Sequence, residues 1–133
     1  MNKDLTIVFS SFESQVLLGK ILKSIKNYNI IVVENSNNLT IKKNLEKKFK
    51  NVKVIIPGKN IGLAKSYNIG IREAKTKYVF LNNPDIRISK KTISNLISCA
   101  KKIKKFGIIS PTYFNEKIFR NYEVYNKNKF TKL

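Results

Sequence analysis

Short apolar runs alternate along this chain with stretches of helical period, and each apolar run turns polar at its carboxyl end. Leu5 to Phe12 (LTIVFSSF) is rich in β-branched and aromatic residues and becomes polar at Ser10 and Ser11, which predicts a first strand. From Ser14 to Asn27 the residues Val16, Leu17, Ile21, Leu22 and Ile25 recur at helical spacing, with Ser14 placed to cap the helix. Ile30 to Glu34 (IIVVE) predicts a second strand, followed by turn formers from Asn35 to Asn38, and Thr40 to Lys50 predicts a strongly basic second helix. Val52 to Ile56 is a third strand closed by Pro57 and Gly58, and Gly62 to Lys75 is a third helix. Tyr78 to Leu81 is a fourth strand, apolar throughout as a strand covered on both faces should be, and it ends in Asn82, Asn83, Pro84 and Asp85. Ser89 caps a fourth helix with Ile93, Leu96, Ile97, Ala100 and Ile103 on one face and Gly107 as its stop. Gly107 to Phe114 predicts a fifth strand, and the aromatic, lysine-rich remainder has no clear period. Strands alternating with helices predict an α/β fold, a parallel sheet joined by right-handed crossovers.

Composition narrows the chemistry more than the fold. The 133 residues make one domain with room for an ordinary core. A single cysteine, Cys99, excludes an internal disulfide, and it reads as a small packing residue of the fourth helix. With no histidine, imidazole catalysis and imidazole metal sites are excluded, so any cation must be held by oxygen, which favours magnesium or manganese. The net charge of +19 suggests nucleic acid at first sight. The basic residues are nearly all lysine, however, with only Arg72, Arg87 and Arg120 as arginine, and they are spread along every helix. A solvated surface explains them better, and nucleic acid is an unfavoured partner. The amino terminus lacks the pattern of a signal peptide and no segment is apolar enough to span a bilayer, so the expected location is cytoplasmic.

In an open α/β sheet, ligands bind at the carboxyl ends of the strands. Four polar strand ends should meet there: Ser10 to Glu13, Glu34 to Asn38, Asn60 to Gly62, and Asn82 to Asp85. Such a cleft suits a nucleoside diphosphate, which needs partners for base and ribose and a cation to offset its charge. Glu34 could bond the base or ribose, Asn83 the ribose or a metal-bound water, and Asp85 could ligate the cation. Each has a structural alternative: Asp85 can merely favour its turn, Glu34 can be a solvated strand end, and Asn35 to Asn38 can be ordinary turn chemistry. Gly62 and Gly70 have the wrong spacing and position for a dinucleotide fingerprint. Leu63, Tyr67 and Ile71 share one helical face and are expected in the core.

Taken in order, TIVFSSF, IIVVENSNN, NIGLAKSYNIGI, YVFLNNPDIRIS and GIISP resemble the amino-terminal half of family 2 glycosyltransferases, especially the rhamnosyltransferase-like branch. The resemblance spans Leu5 to Pro111, and its most specific part is N-x-G-x-A-x-x-x-N-x-G (Asn60, Gly62, Ala64, Asn68, Gly70) followed by a strand and N-P-D. It implies a GT-A-like three-layer α/β/α sandwich with a mostly parallel, Rossmann-like sheet. Residues 1–114 would form the nucleotide-sugar-binding domain and 115–133 the start of an acceptor-side region. Ser11, Phe12, Glu13, Glu34, Asn60, Gly62, Ala64, Asn68, Asn83 and Asp85 would bind the nucleotide sugar. Asp85 would hold Mn2+ or Mg2+, with Asn83 at the position of the first aspartate in the commoner D-x-D motif.

Two departures accompany the likeness. Glu34 stands where the family usually has aspartate, and Ser11, Phe12 and Glu13 replace its T-Y-N. The implied reaction is inverting transfer of a sugar from a UDP- or dTDP-linked donor to a glycan or lipid-linked acceptor. Family members carry a further half that supplies the general base, and no such motif surrounds Glu116 or Glu123, so the catalytic residue is unknown: the base lies outside this chain or is not yet located in it. Peripheral contact with an anionic membrane, and self-association through Tyr113, Phe114, Phe119, Tyr122 and Tyr125, are further expectations. The competing readings are a non-catalytic nucleotide-binding remnant and a basic protein of nucleic acid or membrane surfaces.

Overall fold

A computed structural model describes residues 2–103, 105–111, 124–126 and 129–131. Two compact units are distinguished, Met1–Lys90 and Lys91–Leu133. The expected boundary at 114/115 falls outside the described residues.

The first unit holds a four-stranded, wholly parallel sheet: β1 (Asn2–Ser11), β2 (Tyr28–Glu34), β3 (Val52–Ile55) and β4 (Tyr78–Asn82). Between them run α1 (Gln15–Ser24), α2 (Leu39–Lys48) and α3 (Gly62–Glu73). The strand order is β3-β2-β1-β4. The chain therefore builds outward from β1 to β3, then crosses back to lay β4 on the other side of β1. Right-handed crossovers put α1 and α2 on one face and α3 on the other, giving the three layers expected. The order reverses between β1 and β4, and it is outside the carboxyl ends of strands at such a reversal that open α/β sheets commonly bind ligands.

The two central strands are apolar because they are covered twice, whereas β4, expected to be covered on both faces, lies at the edge with Tyr78, Val79 and Phe80 half-buried and Leu81 41% exposed. Ile7, Val8 and Phe9 of β1 and Val32 and Val33 of β2 are fully buried. The α1 stripe of Leu18, Ile21, Leu22 and the following Ile25 is buried at helical spacing, whereas Val16 and Leu17, expected on the same face, are 73% and 42% exposed. Their positions lie in the first turn, beyond the rim of the sheet. Ser14 occupies the N-cap position but makes no cap bond, and its hydroxyl donates instead to the Phe12 carbonyl at 2.9 Å. Asn38 does cap α2, accepting from the amides of Thr40 and Ile41 at 3.0 and 3.3 Å.

α3 meets the sheet through small residues. Gly62, Ser66 and Gly70 recur every four positions, and Ser66 and Gly70 are buried. A Cβ on Gly70 would stand 2.2 Å from Cγ1 of Val8, so only glycine lets the helix lie this close. This seating corrects the sequence expectation for α3. Leu63 and Ile71 flank the small-residue stripe and are 55% and 42% exposed, while Tyr67 is half-buried against the cluster of Val8, Ile31 and Val33.

In the second unit, α4 (Lys90–Lys102) buries Ile93 and Ala100. It stops at Lys102 instead of reaching Gly107, because its apolar stripe fails there: Ile103 and Phe106 are about two-fifths exposed. Residues 107–111 form no strand, contrary to expectation, with Ile108 92% exposed and Pro111 unable to donate to a ladder. An antiparallel pair that the sequence did not announce joins β5 (Val124–Asn126) to β6 (Lys129–Thr131). Tyr113, Phe114, Glu116, Phe119, Tyr122 and Glu123 lie outside the described residues.

Candidate functional site

At the end of β2 the chain places a carboxylate where no water reaches it. Glu34 is 0% exposed, although it closes a strand and precedes a turn. Its Oε2 accepts from the Ser11 hydroxyl at 2.7 Å, and its Oε1 accepts from the amides of Glu13 at 3.0 Å and Ser36 at 3.1 Å. Burial works to raise the pKa of this carboxyl, but the Ser11 hydroxyl and the amides of Glu13 and Ser36 outweigh it and hold the group below its ordinary value. The anion is thus the bound form. It fixes the loop after β1, where Glu13 takes a positive φ of 50°.

Asn35 extends this tie to α3. Its amide donates to the Ser11 carbonyl at 2.8 Å, and its Nδ2 donates to the Ser66 hydroxyl at 2.8 Å. The Ser66 hydroxyl in turn donates to the Gly62 carbonyl at 2.7 Å, and Asn35 Oδ1 accepts from the Ile61 amide at 3.3 Å. Gly62 enters the helix at φ +77°, and its amide donates to Oδ1 of Asn60 at 3.0 Å. Two strand ends and one helix start are locked together, with Asn35, which the sequence offered only as a turn former, at the centre.

The end of β4 is open by contrast. Asn82 is buried, and its Nδ2 donates to the Ile86 carbonyl at 3.1 Å, while the Ile86 amide donates to the Asn83 carbonyl at 3.2 Å. These bonds close a turn over Pro84 that carries Asp85 outward, exposed. Asn83 is half-buried, and its Oδ1 accepts from the Tyr67 hydroxyl at 2.6 Å. The Tyr67 phenol is pushed above its ordinary pKa by burial and then by the negative charge of Asp85, which puts that carboxylate within electrostatic reach of the α3 tyrosine.

The residues expected to bind a nucleotide sugar therefore divide. Phe12, Glu13, Asn60, Gly62, Ala64, Asn68 and Asp85 are exposed and Asn83 is half-buried, all on strand-end loops or the first turns of α3. Ser11 and Glu34 are buried within the protein. Glu34 is neither a solvated strand end nor open to a ligand, because folding uses the carboxylate to hold its own loops. Ser66 and Tyr67 were not expected at the site, and Asn35, expected there only as part of the Glu34–Asn38 strand end, was given no bonding role. The small residues at 62, 66 and 70 were the available signal that α3 lies close to the sheet there.

A chain of this topology with an exposed carboxylate on the turn after β4 can be set beside known proteins. The profile of Glycosyl transferase family 2 matches residues 6–132. The chain belongs to glycosyltransferase family 2. The "dTDP-rhamnosyl transferase RfbF" of Shigella flexneri is 28% identical over 135 residues, covering 97% of this chain and 45% of that protein. The crystal structure of S. aureus TarS 1–349 superposes with a TM-score of 0.63 at 16% identity, covering 82% of this chain and 40% of TarS. That likeness concerns the fold. The chain spans less than half the length of these relatives.

Within this family 2 domain, the donor set at the open end suits a hard divalent cation. Asp85 offers an exposed carboxylate, preceded by the amides of Asn82 and Asn83 and followed two residues on by exposed Arg87. Among the described residues no three acidic or thiol side chains cluster to make a complete cage. A cation held here by Asp85 would need the phosphates of a substrate to complete its shell, which is the manner in which magnesium is commonly bound.

Proposed function

We propose that this domain binds the nucleoside-diphosphate part of a UDP- or dTDP-linked sugar in the crevice between β1 and β4, for inverting transfer to a glycan or lipid-linked acceptor. The observation that carries the reading is the strand order, which sets the Asn83–Asp85 turn beside the Ser11–Glu13 loop at the point where the sheet reverses. Asp85 holds Mn2+ or Mg2+. A cation bound there would supply charge compensation for the diphosphate leaving group. Glu13, Asn60 and Asn68 line the approach, and Glu34 acts as a positioning residue by holding the loop after β1. The similarity to a dTDP-rhamnosyl transferase supports a dTDP-linked donor.

The acceptor and the general base belong to parts of the reaction for which this chain offers no assigned residue. Exposed Phe12, Val16, Leu39 and Leu63 stand at the carboxyl edge of the sheet or on the first turns of the helices that leave it. With the lysine-rich surface, they support peripheral contact with an anionic membrane carrying a lipid-linked acceptor. No described helix is long and apolar enough to cross a membrane.

The test is calorimetric titration with dTDP and with UDP, each with Mn2+ and with chelator. Binding strengthened by the metal is expected. A wild-type chain that binds neither nucleotide under either condition overturns the reading.

A further inference from the structure

We infer that Tyr67 is a positioning residue for Asn83, fixing its amide so that the Nδ2 hydrogens, and not Oδ1, serve the donor. The inference rests on the donor-site reading above and narrows the role of Asn83, expected at the ribose or a metal-bound water, to that of a hydrogen-bond donor. Oδ1 already accepts a 2.6 Å bond from the Tyr67 hydroxyl, the short end of the range for such bonds. An amide with its oxygen engaged presents its two N–H groups on the other branch. Those groups suit a ribose hydroxyl or a phosphate oxygen and repel a cation. Asp85, two residues on and exposed, is left to bind the metal alone.

Tyr67 is able to impose this geometry because its own ring is held. It is half-buried on α3 and packs with the Val8, Ile31 and Val33 cluster, while Gly70, three residues further along the helix, seats α3 against Val8. The hydroxyl therefore projects from a fixed ring across to the β4 turn. The result is a separation of labour at one turn, in which a neutral donor group and an anionic cation ligand are kept from competing for the same ion.

A double-mutant cycle on the full chain tests this, with dTDP affinity measured in Mn2+ and in chelator. Tyr67→Phe should weaken dTDP binding about five- to tenfold, the loss expected for one fixed neutral hydrogen bond. The loss should be equal with and without metal. In an Asn83→Ala background, Tyr67→Phe should cost nothing further in affinity, since the group it positions is gone. A purely structural role would lower the melting temperature and weaken binding in both backgrounds. An unchanged affinity in Tyr67→Phe, a loss confined to the metal-containing titration, or additive losses would each overturn the inference while leaving the donor site standing. If the wild-type chain binds no nucleotide, the donor-site reading fails and the positioning role fails with it.

Discussion

The carboxyl ends of β2 and β4 flank β1 on its two sides, and each carries an acidic residue, yet the two ends have opposite physical character. At β2, Glu34 is wholly buried and its oxygens are taken by three donors from the chain itself. At β4, Asp85 stands on an exposed turn with Asn83 oriented beside it by Tyr67. An acid whose hydrogen bonds are satisfied internally organises the fold, whereas an acid left to solvent at a sheet reversal is available to a ligand. Proximity to a binding crevice does not by itself distinguish them; the donors around each carboxylate do.

The sharpest way to break this contrast is Glu34→Ala. It removes the acceptor for a hydroxyl and two amides in a site closed to water, so it should cost about 3 kcal/mol and lower the melting temperature by roughly 10 °C. A melting temperature within about 2 °C of wild type would show that the β2 end is not scaffold. The pH dependence should agree in sign. Because the folded-state pKa of Glu34 is lowered, its contribution is fully present above the ordinary carboxylate range and is lost as pH falls through the folded value. Thermal melting between pH 7 and pH 3 should therefore show the gap between wild type and Glu34→Gln narrowing on the acid side.

Next in size is Gly70→Ala, which addresses how α3 comes to bridge the two ends. The added methyl meets Val8 at 2.2 Å, and relief requires the helix or the strand to move. A loss of about 2 kcal/mol is expected from overpacking, and Val8→Ala should recover part of it in the double variant. Denaturant unfolding of the three variants checks this, and equal stability of Gly70→Ala and wild type would show that α3 is seated loosely.

How much of this was readable beforehand follows from where each residue's partners lie. The strands of the sheet and the helices between them were legible because their apolar runs are local and their breakers, such as Pro57, Gly58 and the Asn82–Asp85 turn, are adjacent in sequence. Asp85 could be singled out for the same reason. The fate of Glu34 could not, because two of its three donors, Ser11 and Glu13, lie 21 to 23 residues away and only the Ser36 amide is local. Leu63 and Ile71 were assigned to the core from hydrophobicity, but helix placement was decided by the small residues between them, which let the sheet approach and left the large ones at the flanks. Gly107 looked like a helix stop, yet the helix ended where its apolar stripe ran out.

A smaller effect on folding, and a specific one on binding, is expected from Asp85→Asn. An exposed carboxylate contributes little to packing, so the melting temperature should stay within about 2 °C of wild type. The increase in dTDP affinity caused by Mn2+ should largely disappear, because an amide oxygen carries no charge to hold the cation. If the metal response survives in this variant, the open end of β4 is not the cation site and the contrast with Glu34 loses its functional half.

The smallest expected change separates two roles for Asn60, which stands between the closed and open ends. Its Oδ1 accepts from the Gly62 amide at 3.0 Å, an exposed bond that starts α3. Asn60→Ala should cost only about 0.5 to 1 kcal/mol, the ordinary loss for one exposed side-chain bond to a turn amide. Asn60→Asp keeps an acceptor in the same place and should melt with the wild type. The aspartate variant is the informative one for binding, since it puts a negative charge beside the diphosphate if Asn60 lines the crevice. Weaker dTDP affinity with an unchanged melting temperature is the expected result, reported by calorimetry and thermal melting together. Unchanged affinity would move Asn60 to the structural side of the comparison, with Glu34 and Asn35.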